Sequence, residues 1–452
     1  MSLFEKYSAL LEKVDPIKYT GVVRRVQGLL VESHGPRAKV GEICQIVCEE
    51  NSKTAWAEVV GLKDEITQLM AYDELGGIEV GSQVIAGGTP LEIPVSDKLL
   101  GRVLNSRGKP LDNKGDIGSS VWRGVFSEPP NVLERKRITE VISTGVRSID
   151  ALLTMGKGQR MGIFSGSGYG KSTLLGMIAR NTSADINVIA MIGERGREVR
   201  EFIENDLGEE GLKRSVIIVA TSNEPAIARM RGAYVATTVA EYFRDQGKDV
   251  MLMFDSLTRF ARAQREIGLA IGEPPANRGF TPSVFSTLPK LLERSGTGSK
   301  GTITAFYTIL VEGDDMDEPI SDTVRGILDG HIILSRKLTQ RNHYPAIDVL
   351  RSISRLCNQI TGPQTKKVAA YIRRMMAMYA DSEDLINVGA YVKGSNPQID
   401  EAVSKISAIN DFLIQGTHEK NSLSEIFLRI AEIAGMEIPP EELGHEALSV
   451  ST

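Results

Sequence analysis

The chain has 452 residues, 41% of them apolar and 25% charged, with a net charge of -5 at pH 7. That length allows two or three domains with a buried core, the composition is ordinary for a soluble globular protein, and the acidic balance argues against a broad nucleic-acid surface. Three cysteines (Cys44, Cys48, Cys357) and five scattered histidines provide neither a disulfide framework nor zinc-ligand spacing, no apolar run reaches the ~20 residues of a membrane span, and the start lacks a signal-peptide core, so a reducing cytoplasm is expected.

Residues 1–16 place Leu3, Phe4, Tyr7, Leu10, Leu11 and Val14 at helical spacing, and Pro16 ends the run. Two readings stand side by side: a short helix packed on the chain's own core, or an amphipathic docking helix over 1–18. Residues 19–95 carry short runs rich in Val, Ile and aromatics, "YTGVVRRVQGLLVE", "AWAEVVGL" and "EITQLMAY", broken by Gly and Asp. Such spacing predicts a small β-barrel. The stretch "GRVLNSRGKPLDNKG" (101–115) reads as a turn-rich passage into the next domain.

Over 96–365 the texture changes. "NVIAMIG", "SVIIVAT", "DVMLMFD" and "TITAFYTILV" are nearly all apolar, as strands buried on both faces of a parallel sheet must be. Between two of them Ala236, Val239, Ala240 and Phe243 mark one helix face, with Gly247 at its C-terminal end. Residues 366–452, with "TKKVAAYIRRMMAMYADSEDLI" and "SLSEIFLRIAEIAG", are predicted to be helical.

The chemistry concentrates in "SGSGYGKST" (165–173), after the strand-like "GQRMGIF" and before the helical "KSTLLGMIAR". A phosphate cradle needs backbone N–H groups turned inward at a helix N-terminus, and glycines permit that shape. Gly166, Gly168 and Gly170 supply it, Lys171 reaches β/γ-phosphates, and Ser172 can ligate Mg2+. Ser165 stands where the usual pattern has glycine, a mild departure because this position only starts the turn. Ser167, Tyr169 and Thr173 complete the loop that would bind the nucleotide. Asp255, ending "DVMLMFD", fits the magnesium-anchoring acid of a P-loop enzyme. Glu194 in "GERGREV" ends another buried strand and can activate water, with Arg195 beside it to pair with phosphate. Taken alone, these two fit either catalysis or a solvated charged loop.

Together "SGSGYGKST", "GERGREV", "MLMFDSLTRFARAQREIGLAIGEPP", "ILVEGDDMDEPISD" and "YPAIDVLRSISR" resemble the rotary ATP synthase superfamily. The resemblance runs from about residue 20 to past 430 and is strongest to the type III export ATPases of flagella and virulence systems. "DLINVGAYVKGSNPQID" (384–400) leans toward the flagellar form. It implies an α/β multidomain chain: an N-terminal β-barrel, a central RecA-like P-loop sheet with flanking helices, and a helical C-terminal domain. It also implies Mg2+-dependent ATP hydrolysis with Lys171 and Glu194 as catalytic residues. Arg195 and Arg259 would line the γ-phosphate pocket, Tyr344 would stack on adenine, and Arg355 would be an arginine finger reaching the next subunit. The implied assembly is a homohexameric ring at the inner face of the cytoplasmic membrane. Its expected partners are a stator protein at the N-terminal helix, a stalk protein in the ring centre, chaperone–substrate complexes and the export gate. No nucleic acid is expected. The acidic loop "EGDDMDEP" (312–319) reads as a solvated loop or ring contact rather than a metal site. Three rivals remain: the virulence secretion ATPase, a nucleic-acid translocase of the termination-helicase type, and a ring subunit that binds nucleotide without hydrolysing it. The missing RNA-stacking aromatics weigh against the second, and Glu194 with Lys171 and Asp255 against the third.

Overall fold

The computed structural model describes residues 18–47, 54–73, 76–119, 121–311, 313 and 315–443. The amphipathic segment 1–16 lies outside them. Six strands follow: β1 (Thr20–Gln27), β2 (Leu30–His34), β3 (Glu42–Val47), β4 (Thr54–Lys63), β5 (Ile66–Ala71) and β6 (Gln83–Pro90). They close an antiparallel barrel in the order β1-β2-β5-β4-β3-β6. The expected run "YTGVVRRVQGLLVE" is thus a hairpin, turned at Gly28, whose φ of 58° is the left-handed value such a tight turn requires. Alternation sends Val23, Val31, Ile46, Val59, Leu69 and Val84 into the barrel interior, where all are buried.

The central sheet has nine strands, counting the stub Gly296–Thr297. Its path uses β7 (Arg102–Asn105), β8 (Arg160–Ser165), β9 (Ile186–Ile192), β10 (Ser215–Ala220), β11 (Asp249–Asp255), β12 (Thr302–Leu310), β13 (Gly330–Ile333) and β14 (Ile353–Ser354). Their spatial order is β14-β13-β8-β12-β11-β9-β10-β7. All pairings along it are parallel except that of the short edge strand β14. The sheet also corrects one expectation. Arg102–Asn105, read from sequence as part of a turn-rich passage, is an edge strand paired with β10 through Val216↔Arg102. Only half of its backbone is needed for pairing, and its Arg102 is held by Asp112 at 2.7 Å, so it requires no continuous apolar run.

Period-two alternation divides the core. In β9, Val188, Ala190 and Ile192 join one apolar cluster, while Ile189 and Met191 join the other. The first cluster is completed by Ala236, Val239, Ala240 and Phe243 from helix α2 (Ala226–Asp245), the face expected from spacing. The second takes Leu174, Leu175 and Ile178 from helix α1 (Lys171–Asn181). Helix α3 (Leu257–Ala270) packs beside α2. The C-terminal region is helical: α4 (Pro363–Asn387), α5 (Pro397–Leu413) and α6 (Leu423–Ala434). A capping box between Ser422 and Glu425 starts α6 and left-handed Gly435 ends it. Among the described residues, no helix is long and apolar enough to cross a membrane.

Candidate nucleotide site

The P-loop leaves the carboxyl end of β8 and runs into the N-terminus of α1. Gly168 and Gly170 have φ of 82° and 81°, the left-handed values that turn successive N–H groups inward. A Cβ on Gly166 would stand 2.7 Å from the Tyr169 ring, so that position admits no side chain without displacing Tyr169. Ser165 is buried at the strand end and is not among the residues of positive φ. No glycine is needed there, which explains the departure from the usual pattern.

Sheet order brings the other strand ends to the same rim, where ligands bind in parallel α/β sheets. Asp255 closes β11 and Glu194 follows β9 by two residues. Lys171 Nζ donates to Asp255 Oδ1 at 2.5 Å and to Glu194 Oε1 at 3.4 Å. Asp255 Oδ1 also accepts from Thr308 Oγ1 at 2.7 Å. Burial alone would lower the Lys171 pKa, but the two carboxylates outweigh it and raise it, keeping the ammonium charged. Burial, then repulsion from Asp255, pushes the Glu194 carboxyl up to about 7, against the opposing pull of Lys171 and Arg259. Two buried acids thus share one cation.

Lys171 and Glu194 line a cleft of about 810 Å³, within the size range of small-ligand sites. Arg195 and Arg259 line it as well. Arg195 is largely exposed and paired with Glu198 at 3.0 Å. Arg259 packs its stem against Gly193, and its Nε is buried without a partner. For a metal, the available donors are the Ser172 hydroxyl, which lines the cleft, and the Asp255 carboxylate. Among the described residues no group of three or more His, Cys, Asp or Glu could hold a metal ion. Hard oxygen donors in so small a number fit Mg2+ completed by substrate phosphates, and fit zinc poorly.

Tyr344 stands beside the loop, its ring 3.6 Å from the position of a Cβ on Gly170. Arg355 is not brought to the site. It follows β14, whose Ser354 pairs with Gly330 at the start of β13. Its N–H donates to Asp329 O at 3.0 Å and its guanidinium to Arg325 O at 3.2 Å. Asp329 is level with the beginning of β8, so the finger candidate lies roughly 16 Å along the strands from the P-loop. Sequence reading missed Thr308, Glu198, Arg262 and Arg336. None of them left a usable signal, since even Thr308 is one of four hydroxyl-bearing residues in "TITAFYTILV", with Thr302, Thr304 and Tyr307.

Comparison with known proteins matches three family models. These are the ATP synthase alpha/beta family β-barrel domain over 23–88, its nucleotide-binding domain over 145–354, and the T3SS EscN ATPase C-terminal domain over 361–432. The chain is 56% identical to the flagellum-specific ATP synthase of Treponema pallidum (strain Nichols), over 96% of this chain and 98% of that one. It is 51% identical to the type 3 secretion system ATPase of Xanthomonas euvesicatoria, over 88% and 90%. Among solved structures it is similar to the assembled ATPase EscN of the enteropathogenic E. coli type III secretion system. There the TM-score is 0.87 and identity 43%, covering 92% of this chain and 100% of that chain. The same ATPase in complex with its central stalk EscO gives a TM-score of 0.85.

Proposed function

Because the chain belongs to the ATP synthase alpha/beta family, on the branch of the type III export ATPases, we propose that its Lys171–Glu194–Asp255 cluster hydrolyses ATP to drive flagellar protein export. The chain is an ATPase of type III export; the residue roles and the flagellar assignment are the proposal. The observation that carries it is the Lys171 ammonium held between two buried carboxylates at the mouth of a P-loop.

In this reading the loop N–H groups from Gly166 to Thr173 hold the phosphates, and Lys171 moves its charge onto the β/γ oxygens. Glu194 takes a proton from the attacking water as the new O–P bond forms and the β–γ bridging P–O bond breaks, leaving ADP and phosphate. Mg2+, held by Ser172 and Asp255 with the substrate oxygens, would neutralise charge on the phosphates. Arg195 and Arg259 pair with γ-phosphate oxygens, and Tyr344 stacks on the base. Arg355, remote from its own site, serves the site of a neighbour in a homohexameric ring. A stalk in the ring centre follows the EscN–EscO precedent. The stator, chaperone-bound cargo and export gate remain proposed partners, with the ring on the cytoplasmic side of the membrane.

The flagellar assignment is tested in the source cell. Deleting the gene should abolish swimming, with recovery from the wild-type copy and none from Glu194→Gln. Intact swimming with loss of injected effectors would instead assign the chain to a virulence machine.

A further inference from the structure

The link between α5 and α6 crosses back onto the nucleotide-binding domain, and its residue Gln415 is buried. Its backbone N–H donates to Tyr344 O at 2.9 Å. The side chain accepts at Oε1 from Arg147 N–H at 2.9 Å. At Nε2 it donates to Gly145 O at 2.8 Å and to Glu419 O at 3.3 Å. One amide donor and two carbonyl acceptors face the group, so only one orientation of the amide satisfies all three. The surrounding link is tied down too. Arg147 pairs with Glu419 at 3.0 Å, Arg180 from α1 donates to Thr417 O at 2.5 Å, and Asn181 donates to Glu419 O at 3.3 Å.

These bonds converge on one place. Tyr344 presents its ring to Gly170 of the P-loop, and its main-chain oxygen is held by a residue about seventy positions later in the chain. Gly145, Arg147 and Arg180 belong to the nucleotide-binding domain, whereas Gln415 and Glu419 belong to the C-terminal helical region. We propose that Gln415 is a positioning residue for the nucleobase: it fixes the Tyr344 backbone, and so the ring, at a set distance from the P-loop. The same bonds make the C-terminal helices part of the base site, so displacing those helices loosens the base and leaves the phosphate cradle intact. This rests on the reading of Tyr344 as the base-stacking residue.

The separation between base and phosphates provides the test. Full-length Gln415→Glu keeps the shape but cannot donate to Gly145 O and Glu419 O, and Gln415→Leu removes every side-chain bond. Losing one or two buried hydrogen bonds should raise KM for ATP about 10-fold. Inorganic tripolyphosphate, which has no base, should inhibit Gln415→Glu and wild type with the same constant, and kcat should change little. Combined with Tyr344→Ala, the two KM effects should be non-additive, because both act through one ring. If Gln415→Leu does not fold, Gln415→Glu carries the measurement. An equal loss of ATP and tripolyphosphate affinity would mean a general structural role and overturn the inference. A 10-fold KM rise in Tyr344→Ala with none in Gln415→Glu overturns it while sparing the stacking reading. Unchanged affinity in Tyr344→Ala removes both.

Discussion

Glu194 and Asp255 are both carboxylates at strand ends, both buried, and both within reach of Lys171, yet their surroundings differ. Asp255 accepts bonds from Lys171 and Thr308 on one oxygen, which leaves its other oxygen for a metal ion. Glu194 has a longer contact to the ammonium, and burial beside Asp255 raises its pKa to about 7. A general base is most useful when its pKa lies near working pH. Glu194→Gln should therefore bind ATP normally while turnover falls about 10²-fold or more, the usual scale of a general-base step. Protonation disables a base, so kcat/KM of the wild type should rise with pH through the region of 7 and then level off. A profile flat from pH 6 to 8, or full turnover in Glu194→Gln, would remove Glu194 from the proton transfer. The glycines, Lys171 and Asp255 were legible because each sits beside an unmistakable strand or turn pattern. Thr308 was not, since only the sheet order makes a residue on β12 the neighbour of Asp255.

At the scale of elements, barrel and core are joined by a buried ion pair. Glu58 on β4 receives Arg231 of α2, whose Nε lies 2.8 Å from Oε2, and Tyr72 donates to the same oxygen at 2.6 Å. The guanidinium also stacks on Phe126 at 4.5 Å. Such a pair gains little net stability when formed, but breaking it strands a charge in the interior. Glu58→Gln should destabilise the chain by about 3–5 kcal/mol, visible as a lowered thermal transition. An unchanged transition would mean that water reaches Arg231. The barrel itself was predicted from its Val- and Ile-rich runs; its attachment was not, because Glu58 and Arg231 are separated by some 170 positions and look like ordinary surface charges.

The whole chain places its finger candidate far from its own phosphates. Arg355 lies at the beginning of the parallel strands and the P-loop at their end, so within one copy the guanidinium stays away from the phosphate cradle. If a neighbour supplies Arg355, specific activity should rise with protein concentration as rings assemble. Arg355→Ala should depress the assembled activity by roughly 10³-fold or more, the scale of arginine fingers, with little change in nucleotide affinity. Mixing Arg355→Ala with Lys171→Ala should restore part of the activity, because mixed rings contain some sites with both an intact loop and an intact finger. A mixture that co-assembles and stays inactive would rule out the shared site.

Two kinds of information separate cleanly in this protein. Local backbone rules and solvent exclusion act over a few residues, so the P-loop, the doubly buried strands, the amphipathic face of α2 and the helical C-terminal region could all be read from the sequence. Ser165 in place of glycine could be read as harmless for the same reason, since the turn requires positive φ only at later positions. Contacts between remote segments follow no such period. The edge strand Arg102–Asn105, the Glu58–Arg231 lock and the Gln415 bonds to Gly145, Arg147 and Tyr344 depend on which surfaces the packed sheet brings together. So does the Glu194 pKa, because a carboxylate's proton affinity is set by its burial and neighbouring charges, and those exist only once β8, β9 and β11 end at one rim.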